Sequence, residues 1–309
     1  MKKVLELRKN MLENLEKKQD DTKYIIYVSS ESIGYSDAVH FYDVLRKIGT
    51  YKRIYLIIGS LGGDPDAAYK IVSLLRHYCD ELIAIVPFLA KSAATLITLG
   101  ADEIQMGPIS ELGPIDPQIR YSKDNGYGPA QSVNDCVEFV ADKIKNADDP
   151  ELLHMLLYPI IDKLDPLIIG QLERSVKAAK QYALSLLTSG MLNDDEEKAR
   201  DIVQQLSEGY YSHGYVIDRI EARDMGLSVK FIDDNYWDII WQLYYTYHLE
   251  MVNAVADEEI FRVVETTETL QKEIEDMELE DFIDSLDIDD DIDDMDDLDM
   301  EDLSEEDDE

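Results

Sequence analysis

Apolar positions change period several times along the first hundred residues. Val4, Leu7, Met11, Leu12 and Leu15 recur at helical spacing, which predicts an amphipathic helix over residues 3–17. Lys23–Ser30 (KYIIYVSS) is rich in β-branched and aromatic residues and predicts a strand. Asp37–Ile48 reads as a helix, and Arg53–Ser60 (RIYLIIGS) as a nearly all-apolar strand, the pattern of a parallel sheet covered on both faces. After the turn Leu61-Gly62-Gly63-Asp64-Pro65 comes a helix to about Tyr78 with Ala68, Ile71, Val72 and Leu75 on one stripe. Leu82–Pro87 is a third buried strand, Ser92–Gly100 a helix, and Glu103–Met106 a further strand. Strands alternating with helices predict βαβ units and a parallel sheet, an α/β fold.

The second half is helical in pattern. Val133–Lys145, Glu151–Lys163, Pro166–Leu187 and Asp194–Ser207 read as helices, with Pro159 and Pro166 as breaks. A short helix, Ile217–Gly226, precedes the strand Leu227–Ile232. Asp234–Met251 carries Trp237, Trp241, Tyr244, Tyr245 and Tyr247, aromatics suited to a core or a subunit contact. The expected organisation is an N-terminal helix in 1–22, a globular domain over 23–250 with a helical insertion at about 130–210, and a linker with an acidic tail over 251–309.

Charge sharpens this division. The net charge is −38, and residues 271–309 alone hold 23 acids against one base. Such a surface repels phosphate backbones, so nucleic acid is not an expected partner. The tail repeats aspartate with scattered Leu, Ile and Met; it is expected to be disordered by itself, with a basic protein partner or the body of the chain as its alternative docking site. A calcium-loop reading fails, because the aspartate pairs lack the turn glycine and the closing glutamate. The longest apolar stretch, Leu82–Ala101, is interrupted by Pro87 and Lys91, so no membrane span is expected. The start lacks a signal-peptide pattern, and two cysteines, Cys79 and Cys136, suit a reducing compartment; both point to the cytoplasm.

Two segments carry candidate chemistry. Gly62-Gly63 and Ser92 each follow a buried strand and open a helix, the end of a parallel sheet where active sites gather. Two roles are open to Ser92: an N-cap, or a nucleophile aided by the helix dipole and free N–H groups. The Gly63 N–H, paired with that of Ala93, would make an oxyanion hole, and peptide cleavage by serine needs that pairing. The glycine pair could instead bind phosphate, but Asp64 and Asp66 occupy its first turn, and neither GxxxxGK[ST] nor GxGxxG is present.

The run GSLGG (59–63), then AKSAATLITLGADEIQMGPISELGPIDPQI (90–119), resembles the serine dehydrogenase proteinase family, a branch of the Clp protease/crotonase superfamily. The likeness resumes in 166–187 and in SHGYVIDRIEARDMGLSV (212–229), and spans roughly Lys23 to Asp234. The step from Gly63 to Ser92 also equals that from oxyanion glycine to nucleophile in Clp proteases. Leu61 stands where the family usually has proline, and Ala93-Ala94 where glycines are common. The resemblance implies a spiral of βαβ units with a helical insertion, Ser92 as nucleophile, and Gly63 with Ala93 as oxyanion hole. It also implies a homo-oligomer.

The base is where the chain departs from the Clp pattern. The loop that carries histidine in Clp proteases reads Gly113-Pro114-Ile115-Asp116-Pro117-Gln118 here, and the segment that carries their aspartate holds His213. The two partners are thus expected to be exchanged, with His213 as base and Asp116 as orienter; a triad is defined by geometry rather than chain order. The competing reading is that His213 caps or packs the loop at Gly214. A lysine base is the other route, as in signal peptide peptidase A-like relatives, with Lys177, one turn from Lys180, as the candidate. Lys91 adjoins Ser92, and sequence neighbours usually point apart. His40, His77, His154 and His248 lack partner spacing and read as structural or exposed.

The leading expectation is therefore a serine endopeptidase for peptides or unfolded protein, ATP-independent or fed by a partner. No lysine motif of pyridoxal phosphate enzymes is seen, and no cofactor or metal is expected. The alternatives are crotonase-type acyl-CoA chemistry, with Glu111 or Asp116 as its carboxylate, and a non-catalytic oligomeric scaffold with the tail as an interaction arm.

Overall fold

A computed structural model of the chain describes residues 1–120, 127–129, 131–145, 151, 155, 157, 158, 162 and 166–285. Helix α1 (Lys2–Glu16) leads into β1 (Thr22–Ser29), α2 (Tyr35–Ile48), β2 (Tyr51–Ser60), α3 (Pro65–His77) and β3 (Cys79–Val86). The two-residue strand β4 (Leu89–Ala90), α4 (Ala93–Leu99), β5 (Glu103–Met106) and β6 (Glu111–Leu112) follow. Beyond them lie the hairpin β7 (Gln118–Arg120) and β8 (Tyr127–Pro129), then α5 (Gln131–Lys145), α6 (Pro166–Ser189) and α7 (Glu196–Glu208). The chain continues through β9 (Ile217–Asp218), α8 (Arg219–Met225), β10 (Val229–Phe231), α9 (Asp234–Ala256), β11 (Arg262–Glu265) and α10 (Thr267–Ser285). The helix expected over Glu151–Lys163, with His154, lies largely outside the described residues.

The sheet runs β10-β5-β3-β2-β4-β6-β9, with β1 also paired to β2. All pairs along β10 to β6 are parallel; β9 joins antiparallel at one end, and β11 pairs antiparallel with β1. Strand β2 changes partner along its length: Ile57 still opposes Ile85 of β3, whereas Ser60 opposes Ala90 of β4. The sheet curls at that fork. The result is a curled, mostly parallel α/β sheet, the kind of spiral that the resemblance implies.

The apolar strands are apolar because both faces are covered. In β2, Ile54, Leu56 and Ile58 enter one core with α2, α3, α4, α6 and α7; Tyr55 and Ile57 enter a second core beneath α1, α9 and α10. The period-2 alternation of side chains makes this division, and β1 and β3 repeat it. Each fully buried Leu or Ile contributes about 1.5–3 kcal/mol of transfer free energy.

The C-terminal segment corrects the expectation for 251–309. Helix α9 runs past Met251 to Ala256, and residues 262–285 form a strand and a helix rather than a linker and the start of a disordered tail. The physical reason is long-range: β11 pairs along the otherwise free edge of β1, from Ile26↔Glu265 to Ser29↔Arg262. Leu270 and Ile274 of α10 are then buried in the second core. Polar contacts bind the same junction. Buried Lys23 on β1 lies 3.1 Å from Glu16 of α1 and 2.6 Å from Glu268 of α10. Arg8 of α1 stacks 3.7 Å over the Tyr247 ring of α9, and the Tyr247 hydroxyl donates to Glu265 of β11 at 2.8 Å. The most acidic part of the tail, 286–309, lies outside the described residues.

Candidate active site

Ser92 sits where β4 turns into α4, with φ 51° and ψ −118°. A positive φ on a residue with a Cβ costs on the order of 1 kcal/mol or more, and surrounding bonds must hold it. The Lys91 N–H donates to Ser60 O at 3.1 Å, fastening the turn to the end of β2. The Thr95 hydroxyl donates to Ala90 O at 2.7 Å and accepts from the Gly113 N–H at 3.1 Å, fastening it to the loop after β6. Ser92 occupies the N-cap position of α4, but its side chain makes no capping hydrogen bond. The half-buried serine lines a cleft of about 660 Å³, together with Gly62, Gly63, Ala93, Gln118 and His213.

The double-glycine turn fits between the Ser92 turn and Ile33 because neither glycine has a side chain. Gly62 has φ +100°, and a Cβ there would stand 2.5 Å from Lys91 O and 2.7 Å from Ser92 Cβ. Gly63 has φ +154°, and its Cβ would meet Ile33 N at 2.3 Å. Three of the turn's other polar groups are occupied. Gly62 N–H donates to Ser60 Oγ, Gly62 O accepts from Ile33 N–H, and Asp64 N–H donates to Ile33 O. Among the described residues, the N–H groups of Gly63 and Ala93 have no acceptor, and both residues line the cleft.

Asp116 and His213 are brought together. Their facing atoms, Oδ1 and Nδ1, are 2.8 Å apart, with Asp116 nearly buried and His213 half-buried. The second carboxylate oxygen of Asp116 accepts from Gln118 Nε2 at 2.7 Å. In the tautomer whose Nδ1–H donates to Asp116, a neutral imidazole carries its lone pair on Nε2. His213 is therefore fixed by a carboxylate, not by capping the loop at Gly214.

Lys177 is not brought to the cleft. It is 72% exposed and paired with Glu173 on the same helix, while Lys180 pairs with Glu208. The cleft face of α6 is formed by Arg174, Ser175, Ala178 and Ala179. The carboxylates weighed for acyl-CoA chemistry are both engaged, Glu111 by Lys91 at 2.9 Å and Asp116 by His213. Sequence reasoning missed Thr95 and Gln118. A threonine inside an apolar helix and the glutamine of the GPIDPQ loop were the only signals available.

Comparison with known proteins finds relatives in sequence and likenesses in structure. Two uncharacterized proteins of Methanocaldococcus jannaschii are similar: one is 30% identical over 233 residues, 72% of this chain and 73% of that protein. The other is 27% identical over 177 residues, 57% of this chain and 52% of that one. Among solved structures the chain is similar to the 1510-N membrane-bound stomatin-specific protease. A lysine-to-alanine mutant of it in complex with a substrate peptide has TM-score 0.42 at 18% identity, covering 69% of this chain and 78% of that one. A serine-to-alanine mutant has TM-score 0.41 at 16% identity, covering 69% and 80%. The model of the ClpP-like SDH-type serine proteinases matches residues 1–261, and the chain belongs to that family of serine peptidases.

Proposed function

We propose that the chain hydrolyses peptide bonds through an acyl-enzyme on Ser92, with His213 as general base, Asp116 as its orienter, and the N–H groups of Gly63 and Ala93 as the oxyanion hole. The observation that carries this reading is an uncapped serine held at positive φ in the same cleft as a histidine whose Nδ1 is bonded to a carboxylate.

In this scheme His213 Nε2 takes the Ser92 hydroxyl proton as Oγ bonds to the scissile carbonyl carbon. The carbonyl π electrons move to oxygen, and the two backbone N–H groups stabilise that charge; one such donor is worth on the order of 100- to 1,000-fold in rate. The C–N bond then breaks, the amine leaves with the proton held by His213, and water repeats the sequence to release the acid. Asp116 keeps the imidazole in the working tautomer throughout.

The substrate in this reading is a peptide or unfolded segment cleaved internally, without ATP hydrolysis by the chain itself, in the cytoplasm. A homo-oligomer fits the exposed apolar residues Leu249, Val252 and Val255 of α9. No helix among the described residues is long and apolar enough to cross a membrane. The test is a fluorophosphonate probe on the purified chain beside Ser92→Ala, followed by mass analysis of an unfolded-protein digest. Labelling confined to the native serine, with internal cleavage products, is the expected result. Equal labelling of both proteins would overturn the assignment.

A further inference from the structure

Lys91, the residue before the candidate nucleophile, is buried and fully engaged, yet the scheme above gives it no part. Its ammonium donates to Leu112 O at 3.0 Å and to Tyr215 O at 3.0 Å, and it lies 2.9 Å from Glu111 Oε1. An ammonium has three protons, and these are three acceptors. Only 9% of the side chain is exposed, and burying an ammonium is unfavourable unless every proton is matched. Space for its stem exists because residue 113 is glycine: a Cβ there would stand 2.7 Å from Lys91 Cδ.

The places of those acceptors give the arrangement its meaning. Leu112 ends β6, four residues before Asp116, and Tyr215 lies two residues after His213. The backbone of the same lysine reaches the other half of the site. Its N–H donates to Ser60 O beside the double-glycine turn, and its C=O accepts from the Ala94 N–H in the first turn of α4. One residue thus bonds the serine turn, the end of β2, the aspartate loop and the histidine loop.

We infer that Lys91 is a positioning residue that sets the Asp116–His213 pair relative to Ser92. The inference rests on the triad reading given above. Lys91 does not serve as a base, because its nitrogen is directed into carbonyl oxygens and a carboxylate. Removing its charge leaves two carbonyls and a carboxylate without their donor, so the two loops can separate from the serine turn. A displacement of about 1 Å at a reacting group can cost on the order of 100-fold in rate.

The test compares Lys91→Met and Glu111→Gln with the native chain and with His213→Ala. Three quantities are measured: kcat and KM on a peptide substrate, the rate of fluorophosphonate labelling, and the downfield proton resonance of the His213 Nδ1–H bond. Lys91→Met, folded by near-ultraviolet circular dichroism, is expected to lose kcat and labelling rate by on the order of 10- to 100-fold. KM should change little, and the downfield resonance should broaden or disappear. Glu111→Gln keeps both carbonyl bonds and should show a smaller loss in the same quantities, so it decides the matter if Lys91→Met does not fold. A folded Lys91→Met, or failing that Glu111→Gln, with native kcat and an unshifted resonance overturns the positioning role. A His213→Ala protein that labels at the native rate overturns the triad itself, which separates the two failures.

Discussion

Asp116 Oδ1 and His213 Nδ1 meet at 2.8 Å although 97 positions separate them in the chain. Their contact joins the loop after β6 to the loop before β9, and the antiparallel pair Leu112↔Ile217 brings those loops side by side. Asp116→Asn should therefore disturb the imidazole tautomer without removing packing. Its peptidase kcat is expected to fall on the order of 100- to 10,000-fold with an unchanged melting temperature. Lys177→Ala, by contrast, should stay within about twofold of the native labelling rate, since an exposed i,i+4 ion pair contributes little. Stopped-time probe labelling of both variants checks the pair of expectations.

The glycine turn gives a second test. At Gly62 an alanine must adopt φ +100° and press its methyl within van der Waals radii of Lys91 O and Ser92 Cβ. Gly62→Ala is expected to lose Ser92 labelling and about 2 kcal/mol or more of stability. Chemical denaturation with parallel probe labelling would show it. Native values of both would mean that the two turns are not packed as described.

Glu265 predicts a pH dependence of stability. Burial raises its carboxyl to about 7, with the Tyr247 hydroxyl opposing, Glu273 adding to the rise and Arg8 opposing it. Because the folded value exceeds the unfolded one near 4.5, the folded chain binds more protons between those values. Stability contributed by the protonated carboxyl is present below about 4.5 and is lost as pH rises through about 7. The loss is on the order of 3 kcal/mol. Glu265→Gln keeps an acceptor for Tyr247 and should flatten this slope, melting above the native chain at pH 8 and close to it near pH 4.5. A melting-temperature series in pH measures this.

Truncation after Ala256 is the fourth expectation. It removes β11 and α10, opens the edge of β1, and strips the cover from Leu5, Leu12 and Leu15 of α1. The shortened protein should aggregate or unfold at a lower temperature. Size-exclusion chromatography with a melting curve is sufficient, and a monodisperse product of native stability would contradict the account.

Much of the core was legible because its signals are local. Runs such as RIYLIIGS can be nearly all apolar only if both faces are covered, and the βαβ alternation then limits the topology. The pairing of Asp116 with His213 was also readable, from an acid and a histidine in each other's customary segments. What escaped depends on partners far away in sequence. RVVE (262–265) is too short and too charged at its ends to announce a strand, and only the open edge of β1 makes it one. Lys177 was misplaced because helical spacing gives neighbours on a helix but not which side faces the cleft; Ser175, Ala178 and Ala179 do. Lys91 looked idle when judged by its reach to Ser92, since its acceptors lie 21 and 124 residues away.

The backbone at Ser92 carries one more implication. At φ 51° a glycine would be at ease where serine is not, so Ser92→Gly should melt at a higher temperature than the native chain while losing all chemistry at that position. In the proposed scheme, the residue that would open the peptide bond is also one whose backbone conformation works against stability.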